Sequence, residues 1–273
     1  MRLLLIVGSH QRHLWFAENL AERFNVVGLL AMPREDQVPK PPDNTSTHDS
    51  RNFVKHFVRR REVEEHLFNT HPQLLAALPT LHIERQALNS LDVKSFVQSV
   101  RPDACIVFGS DIIKEPLLSA LPRFSVNIHL GLSPWYRGAA TLFWPFYNLE
   151  PNWAGATLHY LVPQIDAGPI VMTVCPELVL GDGIHEVGAR AVVAALGGAK
   201  QCLESIDAGH NLEGQRQLTT GRLYLARHFR AEHLRVNYDL FNDRMVDAFL
   251  DGEISPHQRP DLIRPSRLGV QSA

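Results

Sequence analysis

The sequence is poor in cysteine and carries no excess of positive charge. Its 273 residues include three cysteines, an odd number without metal-ligand spacing. This usage favours buried free thiols over a disulfide framework or a structural metal site. Lysine and arginine number 27 and aspartate and glutamate 29, a formal net charge of −2. That balance lacks the basic footprint typical of a nucleic-acid-binding protein.

Long hydrophobic runs are missing as well. No uninterrupted apolar stretch approaches the roughly 18 residues that a membrane-spanning helix needs. The first eight residues, MRLLLIVG, contain one basic residue and too short an apolar run for a signal peptide. A chain of this length buries about 70–75% of its unfolded surface and needs no crosslink to hold a core. We therefore expect a soluble, cytoplasmic α/β protein of enzyme size that has no contact with a membrane.

The beginning of the chain alternates between apolar runs and helical patterns. Residues 2–7 are continuously apolar after Arg2, as expected of a parallel strand buried on both faces. Residues 9–23 follow with helical spacing, and Ser9 is the predicted N-cap. A second apolar run covers residues 26–31. A strand, a helix and a strand within about thirty residues indicate a right-handed βαβ unit and a parallel sheet.

The alternation continues after a proline-rich interruption. Residues 33–50 contain four prolines and few apolar residues, which predicts a mobile surface loop. A helix is predicted over residues 52–68, followed by a strand at 81–83, a helix at 93–100 and a strand at 104–108. This order predicts a Rossmann-like, doubly wound, mostly parallel sheet, in which ligands bind at the carboxyl ends of the strands.

The composition changes at about residue 208. The remaining segment is polar, with an alternating stretch at residues 223–226 and a predicted short helix at 242–250. We therefore predict a catalytic domain over residues 1–205 and a small C-terminal extension over residues 206–273, built from a hairpin and a helix. The apolar residues of this extension either form a homodimer patch or pack on the larger domain. Its nine arginines and ten acidic residues, counted from residue 201, lack the positive excess that an RNA-binding tail shows.

Residues with catalytic potential concentrate between Val107 and Val171. Asn127 and His129 are two positions apart near the end of a predicted strand, so they point to the same face. An asparagine N–H can stabilise a developing oxyanion, and a histidine can move a proton near neutral pH. Asp166, in a turn of small residues, can orient the imidazole. Each of these features is common by itself, since an aspartate before Ala-Gly-Pro is also a turn former.

The combined pattern is much more specific than its parts. Residues 127–129 read N-I-H, residues 133–138 read S-P-W-Y-R-G, residues 155–159 read G-A-T-L-H and residues 165–168 read I-D-A-G. In this order and spacing, the sequence resembles the folate-dependent formyltransferases. The resemblance is specific over about residues 100–175 and looser over the first hundred. It implies the transfer of a formyl group from N10-formyltetrahydrofolate to a primary amine.

The resemblance also implies roles for individual residues. Asn127, His129 and Asp166 match the family's triad, which works without a metal or a covalent enzyme intermediate. Asn127 and protonated His129 are expected to stabilise the oxyanion, and His129 or a water held by Asp166 to carry the amine proton to the folate nitrogen. His159 is expected first to be structural or to support the triad residues, and only second to transfer a proton. A donor slot of mainly backbone groups is implied at Phe108, Gly109, Ser110, Ile112, Ile113, Lys114, Val162, Gln164 and Ile165.

Six further residues are expected on the acceptor side. A glycine in the loop after the histidine strand permits close approach of the backbone, and an arginine beside it can hold an anionic group. Two aromatic residues of that loop can stack on a sugar or a base. The segment after the first strand can meet a phosphate or a carboxylate at a helix N-terminus. These candidates are Trp135, Tyr136, Arg137, Gly138, His10 and Arg12.

Differences between this sequence and individual branches of the family narrow the range of possible acceptor amines. A single glycine, Gly8, follows the first strand, where glycinamide ribonucleotide formyltransferases carry a glycine-rich loop. The same feature argues against a nicotinamide-dependent oxidoreductase, which needs G-x-G-x-x-G there. The short, neutral C-terminal segment disfavours methionyl-tRNA as the acceptor.

Residues 131–138, together with 143–146, look most like enzymes that formylate amino sugars on nucleotide carriers. The leading expectation is therefore a nucleotide-linked amino sugar destined for surface polysaccharide. Formylation of an amino acid such as N-hydroxyornithine, of methionyl-tRNA or of glycinamide ribonucleotide remains as an alternative. A formyltransferase-like binding module without turnover is the alternative from a different functional class.

Overall fold

The computed structural model describes residues 1–35, 37–70, 72–219, 221–255 and 258–268. Its strands are β1 Arg2–Gly8, β2 Asn25–Met32, β3 Thr80–His82, β4 Ala104–Phe108, β5 Phe124–His129, β6 Tyr136–Gly138, β7 Ala156–Tyr160, β8 Ile170–Val174, β9 Asn211–Glu213, β10 Arg222–Tyr224 and β11 Ser266–Leu268. Its α-helices are α1 Gln11–Ala21, α2 Thr47–Leu67, α3 Pro72–Ala76, α4 Leu91–Val100, α5 Phe143–Tyr147, α6 Ile184–Asp207 and α7 Met245–Leu250. Within these ranges, no helix is both long and apolar enough to span a membrane.

Seven strands form the central sheet, in the order β3-β2-β1-β4-β5-β7-β8. The five strands from β3 to β5 run parallel, and β7 and β8 add an antiparallel edge. The two faces of β1 belong to different core clusters: Leu3 and Leu5 pack with residues of α1 and α6, and Leu4 and Ile6 with residues of α4. Helices therefore cover both faces, which explains the unbroken apolar run. The predicted doubly wound, mostly parallel sheet is confirmed.

Two local predictions near the beginning of the chain are wrong. Helix α1 has His10 rather than Ser9 as its N-cap, because the Ser9 hydroxyl accepts the backbone N–H of Arg34 at 2.9 Å. Helix α2 begins at Thr47, within the expected loop over residues 33–50. Ser46 caps this helix by accepting the N–H of Asp49 at 3.1 Å, so the loop is shorter than predicted. Residue 36 of the loop lies outside the described residues.

The C-terminal segment packs against the rest of the chain. Strand β10 pairs in parallel with β6, and β9 pairs with β11 in an antiparallel manner. The Tyr224 ring stacks on Trp144 of α5, with ring centroids 4.5 Å apart. The alternating stretch at residues 223–226 thus reaches the larger domain. The proposed boundary at residue 205 lies inside α6 and stays a prediction. Residues 220, 256, 257 and 269–273 of the extension are outside the described part.

Three histidines are buried in the helical layers: His13 in α1, His56 in α2 and His185 in α6. The rings of His56 and His185 lie 4.3 Å apart. Burial lowers the pKa of His56 to about 3 and holds the pKa of His13 and of His185 well below the ordinary value. These imidazoles are therefore neutral in the folded protein, whereas in the unfolded chain they take up protons below about pH 6.5.

The protein is expected to lose stability as the pH falls below about 6.5. There the unfolded chain binds more protons, so each buried histidine lowers the free energy of unfolding by about 1.4 kcal/mol per pH unit. Urea unfolding at several pH values measures this slope. His56→Gln should make it shallower, whereas His66→Gln, at an exposed position of the same helix, should leave it unchanged. Equal slopes for the wild type and His56→Gln would contradict this interpretation.

Candidate active site

A cavity of about 780 Å³ lies at the carboxyl ends of β4 and β5. Crevices at this edge of a doubly wound sheet are where ligands bind, and the volume is typical of a small-molecule site. The loop after β4, the segment from residue 161 to residue 166 and residues 224–226 of the C-terminal extension complete its walls. We call it the triad cavity, after Asn127, His129 and Asp166, which all line it.

The three triad residues meet at one point of this cavity. Asn127 and His129 project from β5, and Asp166 lies in the loop between β7 and β8. The Asp166 carboxylate places Oδ2 at 3.3 Å from His129 Nδ1 and Oδ1 at 3.5 Å from Asn127 Nδ2. The structure therefore brings together the residues that the sequence grouped.

The charges and hydrogen bonds around Asp166 and His129 favour an ionised Asp166. Burial alone would raise the pKa of Asp166, but the charges of His129 and His159 and the N–H of Gly138, at 2.9 Å, hold it well below its ordinary value. Burial lowers the pKa of His129, and the Asp166 carboxylate opposes this effect. His129 Nε2 also lies 2.7 Å from the carbonyl oxygen of Tyr136. Both ring nitrogens thus face acceptors, an arrangement that a protonated imidazole satisfies fully.

His159 joins the triad as a fourth polar residue. It lies opposite Asn127 in the register of β5 and β7. Its Nε2 is 3.3 Å from Asn127 Nδ2 and 3.4 Å from Asp166 Oδ1. Its Nδ1 is 2.9 Å from the carbonyl oxygen of Tyr160, so both of its ring nitrogens have polar neighbours. His159 therefore contacts both Asn127 and Asp166 from the neighbouring strand, which agrees with the structural or supporting role that the sequence interpretation placed before proton transfer.

The C-terminal extension supports the aspartate loop. Asp166 has a φ of +46°, in the left-handed region that asparagine and aspartate tolerate better than most residues. The Gln217 side chain donates to the carbonyl oxygens of Asp166 at 2.9 Å and of Gly168 at 2.8 Å. Gln217 was missed from the sequence, because no motif connects it to the residues of its loop.

All nine residues predicted for the donor slot line the triad cavity. The loop after β4 is held by Asn89, whose Nδ2 donates to the Ile112 carbonyl at 3.0 Å and whose Oδ1 accepts the Lys114 N–H at 2.7 Å. Asn89 also lines the cavity and was not identified from the sequence. It fixes the backbone of the segment on which the donor prediction depends.

The structure places the six acceptor candidates in different parts of the molecule. Gly138 and Arg12 line the triad cavity. Trp135 and Tyr136 line a different cavity of about 550 Å³, because the Tyr136 ring points to the side of Tyr224, on which it stacks at 5.9 Å. His10 is buried, with Nε2 at 2.8 Å from the Glu35 carbonyl oxygen.

Arg137 is partly buried in β6, and it is not among the residues that line the triad cavity. Its charge nevertheless acts on the pKa of His129. The acceptor candidates whose side chains the structure does not bring to the triad are therefore three, namely Trp135, Tyr136 and His10. Tyr136 contributes to the site through its carbonyl group alone.

The three cysteines are free thiols, as expected. Burial raises the pKa of Cys175 and of Cys202 to about 12, so neither is a thiolate at neutral pH. In the described part of the chain, no three histidine, cysteine or acidic side chains are grouped so that they could hold a metal ion. The acid–base chemistry that the triad cavity offers comes from its histidines and carboxylates.

The sequence can be compared with known families and proteins. Residues 59–195, half of the chain, match the formyl transferase family, and they include all three triad residues. Methionyl-tRNA formyltransferase of Thermotoga maritima is 39% identical over 172 residues, which are 62% of this chain and 47% of the relative. The chain spans less than half the length of the curated relatives that it matches.

Solved structures show the same fold at low sequence identity. Phosphoribosylglycinamide formyltransferase from Anaplasma phagocytophilum superimposes with a TM-score of 0.54 at 17% identity, over 82% of this chain and 98% of that one. A sugar N-formyltransferase from Shewanella sp FDAARGOS_354 gives a TM-score of 0.55 at 17% identity, over 84% of this chain and 78% of that one. At such identities, the likeness concerns the fold alone.

Proposed function

The chain belongs to the formyl transferase family, and from this premise we propose that it transfers a formyl group from N10-formyltetrahydrofolate to a primary amine. The observation that carries the proposal is the convergence of Asn127, His129 and Asp166 in one cavity beneath the loop after β4. A hydrogen-bond donor, an imidazole and a buried carboxylate are the groups that acyl transfer to an amine requires.

Each triad residue has a separate task in this mechanism. The amine attacks the formyl carbon, and Asn127 and protonated His129 stabilise the oxyanion that forms. The contacts of Asn127 with His159 and Asp166 are long, at 3.3 and 3.5 Å, so a closer acceptor can displace them. Asp166 favours the charged form of His129 against the effect of burial. His129, or a water held by Asp166, passes the amine proton to the folate nitrogen while the bond between that nitrogen and the formyl carbon breaks.

The donor slot fits a folate by volume and by chemistry. The triad cavity that contains this slot has a volume of about 780 Å³, which accommodates a ligand larger than the formyl group alone. The edge of a pterin alternates hydrogen-bond donors and acceptors, which peptide groups of residues 108–114 and 162–166 can match. Asn89 keeps the first of these segments in one conformation, which lowers the ordering cost of binding.

Gly109→Ala is expected to weaken donor binding by roughly tenfold or more. Gly109 has a φ of +77°, and an added Cβ would lie 2.3 Å from Cε1 of the buried His13 ring, so the donor loop must move. Calorimetric titration with 5-formyltetrahydrofolate, a stable analogue, measures the loss. Gly181→Ala is the matched control, because Gly181 has a φ of +89° with nothing within 4 Å. Equal donor affinity in both variants would argue against a donor site at this loop.

The acceptor that we propose is a nucleotide-linked amino sugar, a precursor of surface polysaccharide. The sequence pattern over residues 131–138 supports this choice. Methionyl-tRNA is the second candidate, because the Thermotoga maritima relative, 39% identical over the matched region, is a methionyl-tRNA formyltransferase.

Turnover with N10-formyltetrahydrofolate tests the proposal and separates the candidates. Release of tetrahydrofolate and the mass of the product are followed with nucleotide-linked amino sugars, methionyl-tRNA, glycinamide ribonucleotide and N-hydroxyornithine. We expect the fastest formylation with a nucleotide-linked amino sugar. Faster formylation of methionyl-tRNA would select the second candidate. Binding of the donor without transfer to any of these amines would instead indicate a binding module.

A further inference from the structure

A second cavity, of about 700 Å³, adjoins the triad cavity. Both cavities are lined by Leu130, Gly138, Ala139 and Thr141, which follow or face the triad strand β5. A ligand in the second cavity can therefore extend a group to the triad without occupying the donor slot. We call this cavity the arginine cleft, because its lining includes Arg12, Arg34, Arg60 and Arg85.

The arginine cleft holds more positive than negative charge. Two carboxylates, Glu35 and Glu64, line it beside the four guanidinium groups. Arg12 is paired with Glu64, and Arg34 with Glu35 at 3.1 Å. Arg34 and Arg85 share one further carboxylate, that of Asp111, with contacts of 3.1 and 2.7 Å. This surplus attracts an anionic ligand.

Arg60 is the least compensated of the four. Its Nη2 donates to the carbonyl oxygen of Gln37 at 2.9 Å, and its guanidinium lies 4.7 Å from the Phe57 ring centroid. Within the described ranges it has no carboxylate in ion-pair contact. Burial and the neighbouring Arg12 lower its pKa to about 10, so it is still charged at neutral pH. A partly buried cation without an anion is costly, and a ligand phosphate would offset that cost.

The rest of the arginine cleft is aromatic and uncharged. Phe57, Phe143 and Phe229 contact one another and line it, with Phe143 and Phe229 at 4.9 Å and Phe57 and Phe229 at 6.2 Å between ring centroids. The neutral rings of His56 and His185 lie beside them. Such a wall suits a planar base or another apolar group, and it begins at Phe57, directly beside Arg60.

We propose that the arginine cleft binds the acceptor as a nucleoside diphosphate derivative, with the diphosphate on the arginines, the base on the phenylalanines and the amine at the triad. Guanidinium groups bind phosphate oxygens in bidentate fashion, and a diphosphate offers oxygens to several guanidinium groups at once, whereas the single carboxylate of an amino acid offers only two. The proposal rests on the proposed formyl transfer for the identity of the reacting group, but its test does not.

Calorimetric titration of the full chain with uridine diphosphate, inorganic pyrophosphate and L-ornithine tests this site. We expect uridine diphosphate to bind more tightly than pyrophosphate, and ornithine not to bind. Arg60→Gln should weaken the binding of uridine diphosphate by roughly tenfold or more, and Arg60→Lys by less. Arg61→Gln is the matched control, because Arg61 is an exposed neighbour on α2 that pairs with Glu65, and it should leave the affinity unchanged.

A second variant keeps the test decisive if Arg60→Gln does not fold. Glu64→Gln removes a carboxylate from the cleft but leaves Arg12 a hydrogen-bond partner. The affinity for uridine diphosphate should rise roughly threefold to tenfold, whereas Glu65→Gln, at an exposed position of the same helix, should have no effect. An affinity that falls or stays constant in Glu64→Gln would overturn the proposal.

The remaining outcomes separate this proposal from the proposed function. Absence of binding of both uridine diphosphate and pyrophosphate, or equal losses in Arg60→Gln and Arg61→Gln, would overturn the acceptor assignment. If 5-formyltetrahydrofolate still binds in that case, formyl transfer stands and only the cleft is misassigned. If uridine diphosphate binds as expected and the folate does not, the cleft stands and the proposed formyl transfer fails.

Discussion

Replacement of Asp166 by asparagine is expected to lower kcat by roughly 10³-fold while the protein remains folded. Asparagine has the shape of aspartate and tolerates the φ of +46° at this position. It removes the charge that lies 3.3 Å from His129 Nδ1 and 3.4 Å from His159 Nε2. The expected loss is in kcat, because the carboxylate acts on the charged imidazole of the transition state.

The pH dependence of this variant provides a second readout. Asp166 raises the pKa of His129 against the effect of burial, so its loss should lower that pKa further. Protonated His129 then forms only at lower pH, and the residual rate of the variant should rise as the pH falls. A structural defect alone would not produce this shift.

Asp182→Asn is the matched control for Asp166→Asn. Asp182 is also a buried carboxylate, paired with Arg190 at 2.8 Å and away from the triad cavity. Its replacement is expected to reduce stability and leave kcat unchanged. A kcat of Asp166→Asn within tenfold of the wild type, with donor binding retained, would contradict the role of Asp166.

Asn127→Ala is expected to lower kcat by about 10²–10³-fold, the usual effect of losing one oxyanion donor. The side chain projects from β5 into the triad cavity, with its amide between His159 and Asp166. Alanine fits the strand, and binding of 5-formyltetrahydrofolate should weaken little, because the oxyanion exists only during the reaction. Steady-state rates and calorimetry together separate the two effects.

Two further variants define what Asn127 contributes. Asn127→Asp keeps the shape but removes the N–H groups and adds a negative charge beside Asp166, so its loss should equal or exceed that of the alanine variant. Ser125→Ala, on the same strand, removes a hydroxyl that donates to the Pro122 carbonyl at 2.6 Å and should leave kcat unchanged. A fully active Asn127→Asp would contradict the donation of a hydrogen bond by Asn127.

The sheet and the residues of the triad cavity were predictable because they depend on local patterns. Strand β4 is a continuous apolar run, so its end followed from hydrophobicity, whereas the donor loop after it was implied by the resemblance to the formyltransferases. Asn127 and His129 share a face because side chains in a strand repeat every two residues. Helix α6 was not predicted, because Gly188, Gly197 and Gly198 interrupt its helical pattern of apolar residues. Gly198 lies against Met172, a contact with β8 that the sequence alone does not show.

The errors at the site arise from contacts between distant segments. Tyr136 points away from the triad because β6 pairs with β10, about ninety residues later in the chain. Gln217 reaches the carbonyl of Asp166 from 51 residues later in the chain, and Asn89 reaches the donor loop from the turn before α4. Local periodicity carries no information on such pairings, and the register that places His159 opposite Asn127 is another of them.

The central claim is that Asn127, His129 and Asp166 act on a formyl group held in the triad cavity. A crystal structure of the chain with 5-formyltetrahydrofolate tests it most directly. The account predicts the pterin between residues 108–114 and 162–166, with the formyl group inside the triad cavity and its oxygen about 3 Å from Asn127 Nδ2. A folate bound elsewhere, or no folate at saturating concentration, would contradict it.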